Sequence, residues 1–389
     1  MNIVLYQWKA YQQQDIYETL CSLGHNVICY TEPITNPEED DNYVEQLVTF
    51  LRSNPAEVLF SINYFPVLSD ACKITDILYV AWTCDSPLLG LHHQSVFHSC
   101  NRIFLFDRKD YETLRVMGVE NCYYLPLGAC VERLNQHFPV TKEQYDISFV
   151  GNLYTHNSYD DIASSLPSYL CGYLDCALEA QLHSTAGNIL PTLLSDSICE
   201  QLESVIDYQK SPRSNSDVRL LFSTTVLGFK AASLERMEAL QRLAFIMRRT
   251  DTHVHLFSED TELTLPFVTC HGPVDYHAEL PGINKNSLIN LNMTIPNIQT
   301  GLPLRIWDIM GCGGFLLTNL QSEIPEMFEI GKELETFETN EELIQKCRFY
   351  LEHDDARMQI AKQGYEAVKK QHTLRQRLTG LLTQVGRTS

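Results

Sequence analysis

Short apolar runs alternate with amphipathic stretches along almost the whole chain. Residues 2–7 (NIVLYQ), 26–30 (NVICY), 57–62, 77–82, 102–106 and 123–127 read as strands, each rich in Val, Ile, Leu, Tyr or Phe and closed by polar or turn residues. Between them, 16–23 reads as a helix stopped by Gly24, and 43–51 as an amphipathic helix entered through the acidic run Glu38-Glu39-Asp40-Asp41. Strands alternating with helices predict a parallel, doubly wound sheet. Such sheets bind ligands outside the carboxyl ends of their strands, so the polar residues that close the strands are the candidates. Asn63 and Tyr64 follow the third strand, Asp85 the fourth and Asp107 the fifth. Asp85 has the chemistry of a general base or a hydroxyl ligand, and equally that of an Asx turn holding its loop. Asp107, just before Arg108-Lys109-Asp110-Tyr111, reads most simply as a helix N-cap.

A second unit is expected from about residue 140. Residues 145–150 (YDISFV) form a strand running into Gly151-Asn152, and strands are expected again at 253–257, 267–271, 288–291, 315–318 and 335–337. Between about 158 and 248 the pattern is helical, with breaks at Pro167, Gly187 and Pro191 and a loop at Ser214-Asn215-Ser216. This stretch is read as a helical insertion, with Ser233 as the N-cap of its last helix. Residues 280–285 read as a short turn, and Thr339 as the N-cap of a helix to Leu351. The domains expected are 1–139, 140–370 with the insertion, and a terminal helix in 371–389 packing back on the first domain. Two doubly wound units in series leave a cleft suited to a nucleotide on one face and a second substrate on the other.

The stretch 287–319 carries the most specific chemistry. It reads as strand, polar loop, helix, Gly-rich turn and strand: SLINLN, MTIPNIQTG, LPLRIWDIM, GCGG, FLLTN. Asn292 and Gln299-Thr300-Gly301 offer hydrogen bonds where a helix begins, and a helix N-terminus favours an anion through its orphan N–H groups and its macrodipole. Arg305 lies on the first turn, where a cation opposes the dipole unless an anion sits beside it. Asp308 follows at i+3, within reach of an ion pair with Arg305. Gly313 and Gly314 read as a tight turn.

Charge narrows the partners. The 389 residues carry a net charge of −20, which argues against non-specific binding of nucleic acid or anionic lipid. Any phosphate must then be held by local Arg, Lys and N–H groups. The 13 cysteines are scattered without a Cys-x-x-Cys pair, as expected of reduced thiols in a cytoplasmic protein. No ligand set has metal spacing, since His92 and His93 are adjacent rather than one turn apart, and no metal site is expected. No apolar run is long enough for a transmembrane helix. The first residues lack the basic start and cleavage site of a secretory signal. The GxGxxG fingerprint is missing after the first strand, which counts against a dehydrogenase.

The order of several motifs adds to this. INYFPV, AWTCDSPL, NRIFLFDR and YYLPLG come first, then FVGNLY, LPSYLCGYLDCALEAQ and SLERMEAL. GPVDY, the 287–319 stretch, Gly331-Lys332-Glu333 and YLEHDDARMQIAKQGYEAVKKQHTLRQR follow. Together they resemble GT-B glycosyltransferases, and more narrowly the CgeB-type bacterial family named for a spore-maturation protein. The resemblance covers nearly the whole chain and is strongest from Gly272 to Arg377.

The resemblance implies an α/β GT-B fold, with two Rossmann-like domains facing a central cleft, and transfer of a sugar from a nucleotide-diphosphate donor to an acceptor hydroxyl. It implies no tightly bound cofactor or metal; the nucleotide sugar is substrate, with a UDP-sugar the first donor to test. The donor-binding positions it implies are Gly151, Asn152, Gly272, Asp275, Tyr276, Asn292, Gln299, Thr300, Gly301, Arg305, Gly313 and Gly314. Asp85, Arg305 and Asp308 are the implied catalytic residues, and Asn63, Tyr64 and Asp85 face the acceptor. The Glu-x7-Glu pattern of many retaining GT-B enzymes is not matched: the first acidic position is Asp308 and the residue eight on is Leu316, so inversion and retention both stay open. The acceptor is a glycan or a protein such as flagellin, and the helical insertion is the place for acceptor contacts or a homodimer interface. Two other readings stand beside this one: an inactive sugar-nucleotide-binding or assembly protein, and a GT-B-fold epimerase that needs no acceptor.

Overall fold

The computed structural model describes residues 1–135, 144–184, 187–206, 211–260 and 262–387. The expected domain boundary at 139/140 lies outside the described residues. Contacts divide the chain into two units. The first contains Met1–Leu127, Tyr208–Asp217 and Leu374–Ser389; the second contains Gly128–Asp207 and Val218–Thr373. Chain connectivity and spatial grouping therefore part company twice. A short segment of the expected insertion belongs with the first unit, and so does the last helix, Leu374–Arg387.

The first unit is built on β1 (Asn2–Tyr6), β2 (Asn26–Tyr30), β3 (Val58–Ile62), β4 (Leu78–Trp82), β5 (Asn101–Leu105) and β6 (Cys122–Tyr124). They pair in the order β2-β1-β3-β4-β5-β6, and every pairing is parallel. β3 (VLFSI) and β5 (NRIFL) are buried along their full length, so neither alternates apolar with solvent-facing positions; their polar residues Ser61, Asn101 and Arg102 are buried as well. The connecting helices cap as their sequences require. Asp40 accepts from the Tyr43 N–H at 3.0 Å, and Asp107 from the Lys109 N–H at 2.8 Å. Strand order reverses between β1 and β3, and β3 runs directly into Asn63.

The second unit holds β7 (Tyr145–Val150), β8 (Val254–Phe257), β9 (Val268–His271), β10 (Ser287–Asn292), β11 (Leu316–Asn319) and β12 (Glu335–Phe337). Its order is β12-β11-β10-β7-β8-β9, again all parallel. Relabelled in chain order this is 6-5-4-1-2-3, the doubly wound nucleotide-binding arrangement, with its switch point between β7 and β10. A core of Ile147, Phe149, Leu256, Ile289, Leu291 and Leu317, among others, packs against the helix Leu227–Met247 through Leu240 and Leu243.

Two expected elements differ. Ser233 does not cap a helix: it is buried inside Leu227–Met247, which is entered through a π-helical segment, Phe222–Val226. The apolar run around it hid the true start. Residues 280–285 are not a turn but part of the helix Leu280–Asn286; Pro281 sits in its first turn, where the missing N–H costs no hydrogen bond.

Candidate functional site

The switch point of the second unit brings four of the expected residues together. β7 ends at Val150 and continues into Gly151-Asn152; β10 ends at Asn292 beside it. The helix Leu304–Gly311 starts after the loop that follows β10, with Arg305 on its first turn. Arg305 donates to Asn292 Oδ1 at 3.2 Å, and its guanidinium lies 5.1 Å from the centroid of the Phe149 ring. Gly151 is required by close approach, since a Cβ there would collide with the Arg305 guanidinium. Gly151, Asn292 and Arg305 are thus mutually determined, and Asn152 adjoins them.

The loop from Met293 to Pro303 is pinned at several points. Asn292 Nδ2 donates to Thr294 Oγ1 at 2.9 Å and to Thr318 Oγ1 at 2.8 Å. The Asn319 side chain exchanges two bonds with the Thr294 backbone, at 2.7 and 3.0 Å. Asn297 Nδ2 reaches the Thr224 carbonyl in the π-helical segment at 3.0 Å, a common setting for such segments being a functional site. These bonds fix the stretch that carries Gln299, Thr300 and Gly301 ahead of the helix start.

Sequence reasoning missed Arg236. Its side chain is only 4% exposed, yet it carries no carboxylate partner among the described residues. It donates to the carbonyls of Asn152 and Met293, both at 2.6 Å, so one cation ties together the loops that leave β7 and β10. Its guanidinium lies 5.3 Å from the Phe149 centroid, on the ring that Arg305 also approaches. Burial pulls its pKa down from the usual arginine value, although a guanidinium stays charged throughout. Two guanidiniums beside one ring and a helix N-terminus create local positive potential in a chain of net charge −20. The signal was present in SLERMEAL: a charge on the face of a helix that is otherwise apolar.

The other expected donor residues are placed elsewhere. Asp308 is 1% exposed, and its carboxylate accepts from the Tyr276 hydroxyl at 3.1 Å and pairs with Arg133 at 3.5 Å. Arg133 also covers the Tyr276 ring at 4.4 Å. This closed cluster locks the helix Leu304–Gly311 to the segments around 133 and 276; it does not offer Asp308 to sugar or ribose hydroxyls. Asp275 caps the following turn, accepting from the His277 and Ala278 N–H groups at 2.9 and 2.6 Å, and those bonds hold its carboxyl below the usual aspartate range. Gly272 is exposed, with open space where its Cβ would be. Gly313 and Gly314 lie before β11, at the amino edge of the sheet, because the helix runs antiparallel to the strands. Gly313 has φ of +78°, and a Cβ on Gly314 would stand 2.8 Å from Asn290 Nδ2, so both serve the turn. Lys332 is exposed and pairs with Glu329 at 2.7 Å.

In the first unit, Asn63 adopts φ of +63° just after β3. That left-handed conformation, tolerated by Asn better than by most residues, turns its side chain toward the loop after β4. Asn63 Oδ1 accepts from the Cys84 and Asp85 N–H groups at 2.9 and 3.3 Å, and its Nδ2 donates to Asp85 Oδ2 at 2.6 Å. Asp85 reaches solvent, but the protein packed around it raises its carboxyl pKa, a shift the Asn63 bond opposes. An oriented, accessible carboxylate with a raised pKa has the properties of a general base. Tyr64 corrects the expectation: it is 3% exposed, and its hydroxyl is bonded to Ser95 at 2.7 Å and approached by Asn101 Nδ2 at 3.4 Å. It belongs to the core and does not face a substrate.

Among the described residues, no group of three or more His, Cys, Asp and Glu is placed to hold a metal ion, and no helix is long and apolar enough to cross a membrane.

Residues 236–383 match the model of a family described as glycosyl transferase-like. The match begins at Arg236 and includes Asn292 and Arg305. No curated protein matches the chain. Solved structures match it over its full length. A glycosyltransferase from Rickettsia africae ESF-5 is 9% identical with a TM-score of 0.59, over 100% of this chain and 98% of that one. Anabaena HepE in complex with UDP-glucose is 9% identical with a TM-score of 0.58, over 100% of both chains. T4 phage BGT in complex with its UDP-glucose substrate is 9% identical with a TM-score of 0.51, over 100% and 99%. At these identities the likeness shows the fold: two parallel six-stranded sheets with helices, in the GT-B class.

Proposed function

We propose that this chain, GT-B in fold and glycosyl transferase-like over residues 236–383, transfers a sugar from a nucleotide-diphosphate donor to an acceptor hydroxyl. The observation that carries the reading is the Gly151–Asn292–Arg305 cluster at the β7/β10 switch point, backed by the buried Arg236. A diphosphate fits there because Arg305 presents a planar fork of donors and the helix start adds N–H groups. As the bond between the sugar and the diphosphate breaks, negative charge grows on the leaving oxygens. Arg305 and the helix start stabilise it through groups already in place, so the reading needs no metal for that step. Solved neighbours carrying UDP-glucose make a UDP-sugar the first donor to test.

For the acceptor hydroxyl, Asp85 is the group of the first unit with the chemistry of a base, oriented by Asn63. The acceptor itself is a glycan or a protein, and within the glycosyltransferases the CgeB-type family is the narrower assignment. The test of the donor reading is UDP binding to Arg305→Ala. A charge-assisted hydrogen bond is worth roughly 1.5–3 kcal/mol, so affinity should fall about 10- to 100-fold while the far-UV spectrum and melting temperature hold. Product analysis with donor alone separates transfer from epimerisation: a changed sugar released or retained without acceptor would favour the epimerase.

A further inference from the structure

The loop after β4 carries Asp85, and it is held differently before and after that residue. Toward β3, Asn63 bonds the Cys84 and Asp85 N–H groups and Asp85 Oδ2. Toward β5, Thr83 Oγ1 accepts from the Phe106 N–H at 3.3 Å, which anchors the loop before Asp85. The residue after it, Ser86, is 7% exposed, and its Oγ has no hydrogen-bond partner among the described residues. The same holds for Oδ2 of Asp110, also 7% exposed, in the first turn of the helix Arg108–Val116 that follows β5. Buried polar atoms without partners are rare and costly, and two of them meet here at the carboxyl edge of one sheet.

Each supplies the bond the other lacks. The Ser86 hydroxyl opposes the rise that burial imposes on the Asp110 carboxyl, so the two groups lie within each other's reach. A hydroxyl both donates and accepts, and can therefore bond a carboxyl in either protonation state. Asp110 is not needed as the helix cap, because Asp107, the other acid beside it, fills that role through the Lys109 N–H at 2.8 Å. A base has to be held to within about half an ångström of its productive place. Asn63 grips the Asp85 carboxylate from one side, and a second anchor one residue further on keeps the loop from pivoting about that grip.

We infer that Asp110 is a positioning residue, which binds Ser86 and so holds the loop after β4, and with it the Asp85 carboxylate, in place. The inference rests on Asp85 as the base of the transfer. UDP-glucose given to the full chain without acceptor tests it, because water then takes the acceptor's place: its oxygen bonds to the anomeric carbon, its proton passes to Asp85, and UDP leaves with the electrons of the broken bond. Asp110→Leu and Ser86→Ala should each slow UDP release about 10- to 100-fold, with KM for UDP-glucose unchanged. The double variant should be no slower than the slower single one, since both break the same contact. Asp110→Asn, whose amide still bonds a hydroxyl, should stay close to the wild-type rate. Hydrogen exchange at the Cys84 and Asp85 amides, which needs no turnover, should quicken in Asp110→Leu and Ser86→Ala and not in Asp110→Asn. If Asp110→Leu does not fold, Ser86→Ala set against Asp110→Asn makes the same comparison. Exchange equal in all the variants and the wild type, or losses that multiply in the double variant, would overturn the inference. Slow turnover in Asp85→Asn beside wild-type turnover in Asp110→Leu would strike this inference alone, whereas full turnover in Asp85→Asn would strike the base reading beneath it.

Discussion

A methyl group added to Gly151 would occupy the space taken by the Arg305 guanidinium. Gly151→Ala should therefore displace Arg305 and weaken UDP binding several-fold, and should also cost about 1–3 kcal/mol of stability, because Gly151 holds φ of +157°, a backbone conformation that residues with a Cβ rarely adopt. Calorimetry beside a thermal melt checks both halves of that statement. Asp308 has a packing role: its carboxylate and Arg133 are 2% and 7% exposed, so Asp308→Ala takes the paired carboxylate from a buried cation, which keeps its bond to the Tyr276 carbonyl. Breaking a buried pair from one side costs about 3–5 kcal/mol, and chemical denaturation should show a loss of that order. Asp85 differs again, being accessible and held by Asn63. Asp85→Asn should lower kcat by about 10²–10⁴ if Asp85 takes the acceptor proton. The wild-type rate should fall on acidification with an apparent pKa above that of an ordinary aspartate, and that limb should vanish in the variant. Sequence alone could not separate Asp85 from Asp308 and Tyr64. Asp85, Asp308 and Tyr64 all follow or flank apolar runs, and only the fold shows that Asp308 and Tyr64 point into packed interior while Asp85 does not.

At the scale of elements, the strands were legible because parallel strands buried on both faces are short and rich in apolar residues without strict alternation, as in the VLF, IFL and LI-L cores of β3, β5 and β10. The helix Leu304–Gly311 and its polar lead-in were legible for the same kind of reason: a loop that hydrogen-bonds through Asn and Thr has to spell those residues. The helix Leu227–Met247 was misjudged at its start, because a π-helical entry has no cap and leaves no mark in the pattern. Arg236 was missed with it. Its partners are carbonyls of Asn152 and Met293, far away in sequence, and no local spacing reveals them. Asn297 belongs to the same element-level logic. Asn297→Ala removes the bond to Thr224 that pins the loop after β10. Hydrogen exchange should quicken across 293–303, and UDP binding should weaken through the added cost of ordering the loop.

At the scale of the molecule, the two sheets follow from alternation alone, while their composition does not. The short stretch Tyr208–Asp217 and the last helix join the first unit through contacts that pair distant residues: Arg213 bridges to Asp70 at 2.8 Å, Arg375 donates to Ser22 at 2.9 Å, and Arg377 to the Leu127 carbonyl at 3.2 Å. Global charge also shapes stability. Asp110, 7% exposed, is pushed up to about 7 by burial and by the nearby Asp107. A carboxyl raised in the folded state stabilises the fold fully below its unfolded value, and that contribution is lost as pH rises through about 7. Asp110→Asn should remove this dependence and stabilise the protein above pH 7 by on the order of 1–3 kcal/mol, read from denaturation midpoints at pH 5 and 8.

The central claim is that a nucleotide diphosphate sits at the β7/β10 switch point, held by Arg305 and steadied by Arg236. The most direct measurement is the affinity of UDP for the wild-type protein and for Arg305→Ala by isothermal titration, repeated at two salt concentrations. The account predicts a measurable wild-type affinity, a 10- to 100-fold loss in the variant, and a weaker salt dependence once the charge is gone. Equal affinity and equal salt dependence in the two proteins would contradict it.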